Sequence, residues 1–350
     1  MSHTISARGF AGALAAATAL SVAACSSSDE ASVEQSTAGS AEAGKESAKE
    51  AAFPRTIETL DGQGNAKEIT IEKKPERIVS VSVTLTGALV ALDAPVVGSG
   101  GGNPKAPMFD DETGFGTWWA DTAKERGITS THTAGNLDAE AVLALEPDLV
   151  IMSNVGQDKG SDIYDQLAAL VPVQVVDYSD QSWEETTKEV AHATGLDDAA
   201  EQIIANYEKS VADAKGKLNI EGPVNIVSLS KDTGMNFFTE ESAQGRIFTD
   251  LGVELALPKD ELVGKTAQGT DRGDIKGVNP ENIPLALEGQ SVFVLNLGGK
   301  EPAEQQVRSN PALAQAPAVA NDRVYGLDGE FFRIDAISAQ ALVDHLVETF

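Results

Sequence analysis

The stretch that most limits how this chain can fold is Asp198–Leu218, DAAEQIIANYEKSVADAKGKL. Its apolar residues, Ala200, Ile203, Ile204, Tyr207, Val211, Ala214 and Leu218, recur at steps of three and four, which is one stripe of a helix. Asp198 followed by Glu201 reads as a capping box, and Gly195 ends the preceding helix. A helix of this length spans roughly 30 Å, about the width of a small domain. Strands and helices alternate on both sides of it. The pattern predicts an α/β protein of two lobes with central parallel β-sheets, joined by one long rigid α-helix over residues 197–218, with a ligand cleft between the lobes. The competing reading is an ordinary surface helix of a single domain.

Residues 1–24 read as a signal peptide rather than fold. Arg8 is the positive region, Phe10–Ala24 is a short apolar run of small residues, and Val22-Ala23-Ala24-Cys25 resembles a bacterial lipobox. The only cysteine of the chain, Cys25, stands at the position that lipid attachment requires, and two acyl chains anchor a protein stably. The alternative is a plain secretory leader with a chance cysteine. Residues 25–52 are an aperiodic Ser/Ala/Glu tract, read as a disordered linker. The lobes are placed at 53–196 and 219–350.

Within the first lobe, Arg55–Leu60 and Lys67–Glu72 flank DGQGN as a hairpin. Strands follow at Pro75–Val81, Pro95–Gly98, Leu149–Met152 and Val173–Val176; the continuous apolar core of the first suits a parallel sheet. Helices are expected at Leu85–Leu92, Trp119–Gly127, Asn136–Leu145 and Ser182–Thr194, the last with a Ser182/Glu185 capping box. In the second lobe, strands are expected at Val224–Leu229, Val292–Leu297 and Val324–Leu327. Helices are expected at Ser242–Leu251, Pro280–Leu287 and Ile337–Phe350.

The formal charge is −28, with 54 acidic and 26 basic residues, which disfavours nucleic acid and anionic surfaces as partners. One cysteine excludes an internal disulfide, and the four histidines have no metal-type spacing. There is no nucleophile elbow, no phosphate-binding loop with Lys-Ser or Lys-Thr, and no metalloprotease helix motif. The chain therefore reads as a binding protein, not an enzyme. An extracytoplasmic hydrolase on a two-lobed scaffold is the reading of another class.

Four stretches taken together, PERIVSVS, DAEAVLALEPDLVIM, the strut helix and FFRIDAISAQALVDHL, resemble the substrate-binding proteins of bacterial ABC importers for ferric siderophores, cobalamin and heme. TWWADTAKERG, ESAQGRIFTDLG, DRGDIKGVNPENI and FFRIDAISA look like the ferric-enterobactin binding proteins within that group. The resemblance runs from about Pro54 to Phe350 and implies a class III periplasmic-binding-protein-like architecture. It also implies a ferric siderophore as ligand, most simply an enterobactin-like catecholate, and an ABC permease with its ATPase as partners. Iron would arrive already chelated, so no directly bound cofactor or metal ligand is expected. The body is expected to be an extracytoplasmic, lipid-anchored monomer on the outer face of the plasma membrane or in a periplasm.

A compact aromatic trianion needs desolvated cations and aromatic faces, for which arginine is better suited than lysine. The expected ligand-binding residues are Trp118, Trp119, Arg246, Arg272 and Arg333. Arg333 follows two phenylalanines just ahead of the last helix, where the family pattern has an arginine. Arg272 follows the Gly- and Thr-rich loop 264–270 and matches a basic loop of the family. Arg246 is placed in a helix first turn facing the cleft, and Phe237 and Phe238 are read as core. By the same resemblance, Glu140 and Glu281 are expected to dock on arginines of the permease. Each is placed in a helix first turn, where the dipole alone also favours a carboxylate. Heme, cobalamin or a hydroxamate siderophore on the same fold is the alternative, with His132 or Tyr178 as a possible heme ligand and a single cleft arginine as the mark of a hydroxamate site.

Overall fold

Five strands make the first sheet, β3 (Ile78–Ser80), β4 (Val96–Gly100), β5 (Thr129–His132), β6 (Leu149–Ser153) and β7 (Val173–Val176), and all but the edge strand β5 are almost wholly buried. The computed structural model describes residues 52–156, 158–230, 234–264, 273–298 and 301–350, all within one unit, Ala48–Phe350. The strand order is β5-β4-β3-β6-β7 and every pairing is parallel. Helices α1 (Val83–Ala91), α2 (Thr117–Glu125), α3 (Ala139–Leu143), α4 (Tyr164–Ala168) and α5 (Trp183–Thr194) punctuate these strands. In such a doubly wound sheet the chain direction reverses between the first and fourth strands, here β3 and β6. A crevice opens beyond their carboxyl ends. The antiparallel hairpin β1 (Arg55–Leu60) and β2 (Ala66–Ile71) lies against this sheet through Thr59, whose hydroxyl and the Val175 backbone exchange two hydrogen bonds.

The second sheet runs β10-β11-β9-β8-β12-β13. Strands β8 (Val224–Ser230), β12 (Ser291–Leu295) and β13 (Val324–Leu327) are parallel; β9 (Gly234–Phe238), β10 (Val263–Gly264) and β11 (Ile275–Val278) pair antiparallel. The expectation of a parallel sheet thus holds for half of it. The link from Ser230 to Gly234 is too short for a crossover, so β9 must turn back beside β8. Phe237 and Phe238 are core, as expected, and being adjacent on a strand they enter different hydrophobic clusters. Around this sheet lie α7 (Ala243–Asp250), α8 (Ile283–Ala286), α9 (Ala303–Ser309), α10 (Pro317–Ala320) and α11 (Ala336–Thr349).

The strut is α6, Asp197–Ala214, shorter than the sequence pattern suggests. Its buried face is Ala200, Ile204, Tyr207, Val211 and Ala214. Ala200 joins the core of the first lobe and the other four join the core of the second, so one rod of roughly 27 Å is fastened in both. Gly216, with φ of 71°, takes the chain out of the helix before Leu218. The Asp198/Glu201 capping box does not form. Gly195, at φ 70°, ends α5, α6 restarts at Leu196 without a side-chain cap, and Asp197 and Asp198 occupy its first turn. The Ser182/Glu185 box on α5 is present.

A second connection between the lobes comes from α11, which packs on α1 and α6. Its N-cap, Asp335, approaches α1 so closely that a Cβ at Gly87 would lie 1.8 Å from Asp335 Oδ2. Glycine is the side chain that fits this crossing.

Candidate functional site in the interlobe crevice

At the carboxyl end of β3 the chain turns into α1 through Ser82, whose hydroxyl caps the helix by accepting from the Leu85 backbone N–H. At the end of β6 the loop brings Asp158 back to the same place. Ser82 Oγ donates to Asp158 Oδ2 at 2.5 Å, the Thr84 backbone N–H donates to the same oxygen at 3.1 Å, and the Tyr178 hydroxyl donates to Oδ1 at 2.7 Å. Gly156 makes room: with φ of 74°, any Cβ there would stand 2.5 Å from the Tyr178 hydroxyl. This cluster occupies the crevice between β3 and β6.

Arg333 reaches into it from the second lobe. Gln244 Nε2 fixes the approach by donating to the carbonyls of Phe331 and Phe332 at 2.7 and 2.9 Å. Arg333 Nη1 donates to Thr84 Oγ1 at 2.5 Å, and the guanidinium carbon lies 5.9 Å from the centre of the Phe109 ring. Arg333 Nε is buried without an acceptor. Among the described residues no carboxylate comes within ion-pairing distance of it, but Asp158 acts on it through space. Burial by itself would raise the Asp158 carboxyl. The Arg333 charge and the hydrogen bonds from Ser82, Tyr178 and Thr84 outweigh burial and hold it below the usual carboxylate range. The Tyr178 hydroxyl is pushed up to about 12 by burial and by the Asp158 charge.

The expected site residues separate. Arg333 lies in the crevice. Trp118 is half-buried at the start of α2 and donates from Nε1 to Asp335 Oδ2 at 2.6 Å. Trp119, its neighbour, is 1 % exposed and stacked at 4.9 Å on Phe115 inside the first core, so it has no face for a ligand. Adjacent positions on a helix point about 100° apart, and here only one of the two can leave the core. Arg246 is exposed on α7, donates to the Glu241 carbonyl, and lines a cavity of about 200 Å³ with Ser182, Glu184 and Tyr207 beside the strut. It shares no contact with Arg333 among the described residues. Arg272 lies outside the described residues, as does Cys25.

Glu140 is exposed in the first turn of α3, as expected. Glu281 is exposed too, but it stands in the turn before α8, whose first residue is Ile283. The His132 ring is hydrogen-bonded to Thr131 and the Val81 backbone, and burial lowers its pKa. The Tyr178 hydroxyl is committed to Asp158, so neither residue is offered to a heme iron. Among the described residues no group of three or more His, Cys, Asp or Glu is arranged to hold a metal, and no helix is long and apolar enough to cross a membrane.

Sequence reasoning missed Thr84, Phe109, Asp158 and Asp335. A rule of topology could have found Ser82, Thr84 and Asp158, since ligands of open α/β sheets gather where the strand order reverses.

Two sheets on one strut, with a crevice between them, define a two-lobed α/β binding-protein fold. The chain belongs to the periplasmic binding protein family, which it matches over residues 78–331. It is 38% identical over 302 residues to the ferric enterobactin-binding periplasmic protein FepB of Escherichia coli O6:H1 (strain CFT073), covering 86% of this chain and 92% of that protein. It is 25% identical over 300 residues to the iron(3+)-hydroxamate-binding protein FhuD of Bacillus subtilis, covering 83% and 86%. Among solved structures, holo-ViuP superposes with a TM-score of 0.71 at 29% identity, over 85% of this chain and 96% of that one.

Proposed function

We propose that this chain captures a ferric catecholate siderophore outside the cytoplasm and hands it to an ABC permease and its ATPase. The observation that carries this reading is Arg333: a guanidinium brought from one lobe into the switch-point crevice of the other, over an aromatic ring, with a buried donor still unmatched. A buried N–H without an acceptor costs free energy, and an oxyanion entering the crevice removes that cost. The likeness to FepB over most of both chains supports a catecholate as ligand. The protein works by binding alone, as a monomer. Glu140 and Glu281 meet the permease, one from each lobe, and Cys25 carries the lipid that keeps the receptor at the membrane. Arg272 joins Arg333 at the ligand.

The test is a fluorescence titration with ferric enterobactin, using the chain's own tryptophans. Wild type is expected to quench and saturate. Arg333→Ala is expected to lose about 2–4 kcal/mol of binding, some thirtyfold or more in affinity, since it truncates a desolvated charged contact. Equal affinities for the two proteins would remove the arginine from the site. A hydroxamate chelate is the second reading. It is favoured by the presence of one arginine, not three, among the described residues of the crevice, and the same titration with a neutral ferric hydroxamate decides between them.

A further inference from the structure

The Asp158 carboxylate is placed where an anionic ligand would least welcome it. It shares Thr84 with Arg333: the Thr84 backbone N–H donates to Asp158, and the Thr84 hydroxyl accepts from Arg333. Ser82 and Tyr178 hold the carboxylate in place. Gly156 keeps the loop clear of Tyr178 and Asp158. All of these groups belong to the first lobe, while the cation comes from the second. An ordinary structural aspartate has no need to face the guanidinium that, among the described residues, crosses the crevice. A carboxylate fixed by three donors and facing an incompletely bonded arginine is a built-in competitor for that arginine.

We propose that Asp158 is a specificity-determining residue: an internal counter-ion that partly neutralises Arg333 in the empty receptor, so that small anions cannot hold the site and only a large, multiply charged chelate with aromatic contacts displaces it. The chemistry is that of charge discrimination. An uncompensated guanidinium in a crevice binds sulfate or phosphate, both abundant outside cells. A fixed carboxylate cancels most of that attraction. It also repels a trianion, and the chelate overcomes this with ring contacts that a small anion lacks. The inference rests on the siderophore reading for its large ligand. Its account of the empty site stands on geometry alone.

The experiment compares wild type, Asp158→Asn, Asp158→Glu and Thr84→Val by isothermal titration with three probes: a ferric tris-catecholate trianion, a neutral ferric trihydroxamate and inorganic sulfate. Asparagine keeps the shape and an acceptor for Ser82 and Thr84 while removing the charge. Asp158→Asn is expected to bind the trianion on the order of tenfold more tightly, the scale of one unit charge in a half-solvated site. It should leave any neutral-chelate affinity unchanged and acquire measurable sulfate binding that Arg333→Ala removes. Asp158→Glu should keep sulfate out. Loss of affinity for the trianion in Asp158→Asn, or sulfate binding no stronger than wild type, overturns the proposal, because Asp158 would then only position Arg333. Thr84→Val frees the guanidinium but leaves the carboxylate charged. Sulfate uptake by that variant also overturns the proposal, and it decides the matter even if Asp158→Asn does not fold. If wild type binds neither chelate, the siderophore reading fails, while the sulfate arm still decides the role of Asp158.

Discussion

Trp118 and Arg333 each carry a hydrogen bond between the lobes, in opposite directions, and the two bonds are of different kinds. Trp118 leaves the first lobe to donate to Asp335, a buried carboxylate that also accepts from the backbone N–H groups of Ile337 and Ser338 and from the Ser338 hydroxyl. Arg333 leaves the second lobe to donate to Thr84, a half-buried hydroxyl, and keeps one donor unmatched. The first contact is saturated and capped into α11, so nothing is left over for a ligand. The second is incomplete and sits over an aromatic ring. A receptor with a stiff hinge needs both kinds: one contact that fixes the spacing of the lobes, and one that a ligand can replace.

Asp335→Ala should have the largest effect. It removes the N-cap of α11 and strands the Trp118 indole N–H, and the expected loss is about 3 kcal/mol of folding stability by urea denaturation. Trp118→Phe keeps a ring but withdraws one donor from the buried carboxylate, and should cost about 1.5 kcal/mol. The same variant sharpens the contrast when ligand affinity is measured beside it. If Trp118 is a girder only, affinity falls less than threefold; if its face also stacks on the ligand, the loss is several times larger.

The two carboxylates, Asp335 and Asp158, should also respond to pH in opposite senses. Burial raises the Asp335 carboxyl, and the hydrogen bonds from Ser338, Trp118 and Ile337 only partly offset it. A native group with a raised pKa contributes stability that is fully present below the unfolded value, about 3.9, and is lost as pH rises through the folded value. Asp158, held low, contributes stability that is present above about 3.9 and lost as pH falls through its folded value. Stability of Asp335→Asn relative to wild type should therefore improve as pH rises from about 4, by at most about 1.4 kcal/mol per unit until the folded value is passed. A difference that stays flat with pH would mean that Asp335 is already an untroubled carboxylate.

Much of the architecture was legible because buried parallel strands announce themselves as unbroken apolar runs. Leu149–Ser153 and Val173–Val176 are of this kind, and their helices carry caps that can be read directly, as at Ser182. The strands that escaped notice have no such signal. Thr129–His132 is polar, and Ile275–Val278 is four residues long and interrupted by lysine and glycine. In the site, Arg333 was legible from its setting beside two phenylalanines and from family resemblance. Asp158 was one of 54 acidic residues, and its partners Ser82 and Thr84 stand more than seventy positions upstream. Only the reversal of strand order between β3 and β6 puts them together, and that is a property of the sheet rather than of any local stretch. The adjacent tryptophans were legible as a pair that cannot both face one way, but not as to which of the two stays inside.

Arg333 and Arg246 differ in burial and in what their guanidinium groups reach. Both were expected at the ligand; Arg246 lies within α7, and Arg333 ends the turn ahead of α11. Arg246 is exposed, its guanidinium donates to the Glu241 carbonyl five residues before it, and the cavity it lines also carries Glu184 and, one turn further along α7, Asp250. An exposed cation with solvent at hand has little to gain from a ligand that Arg333 already reaches through buried donors. Arg246→Ala should therefore leave ferric-siderophore affinity within twofold and stability within about 0.5 kcal/mol, the range of ordinary surface substitutions. The check is the same fluorescence titration and urea curve used for Arg333→Ala. A tenfold loss of affinity in Arg246→Ala would place the ligand along the strut as well as in the β3/β6 crevice, and the site would then extend to the α5–α7 cavity.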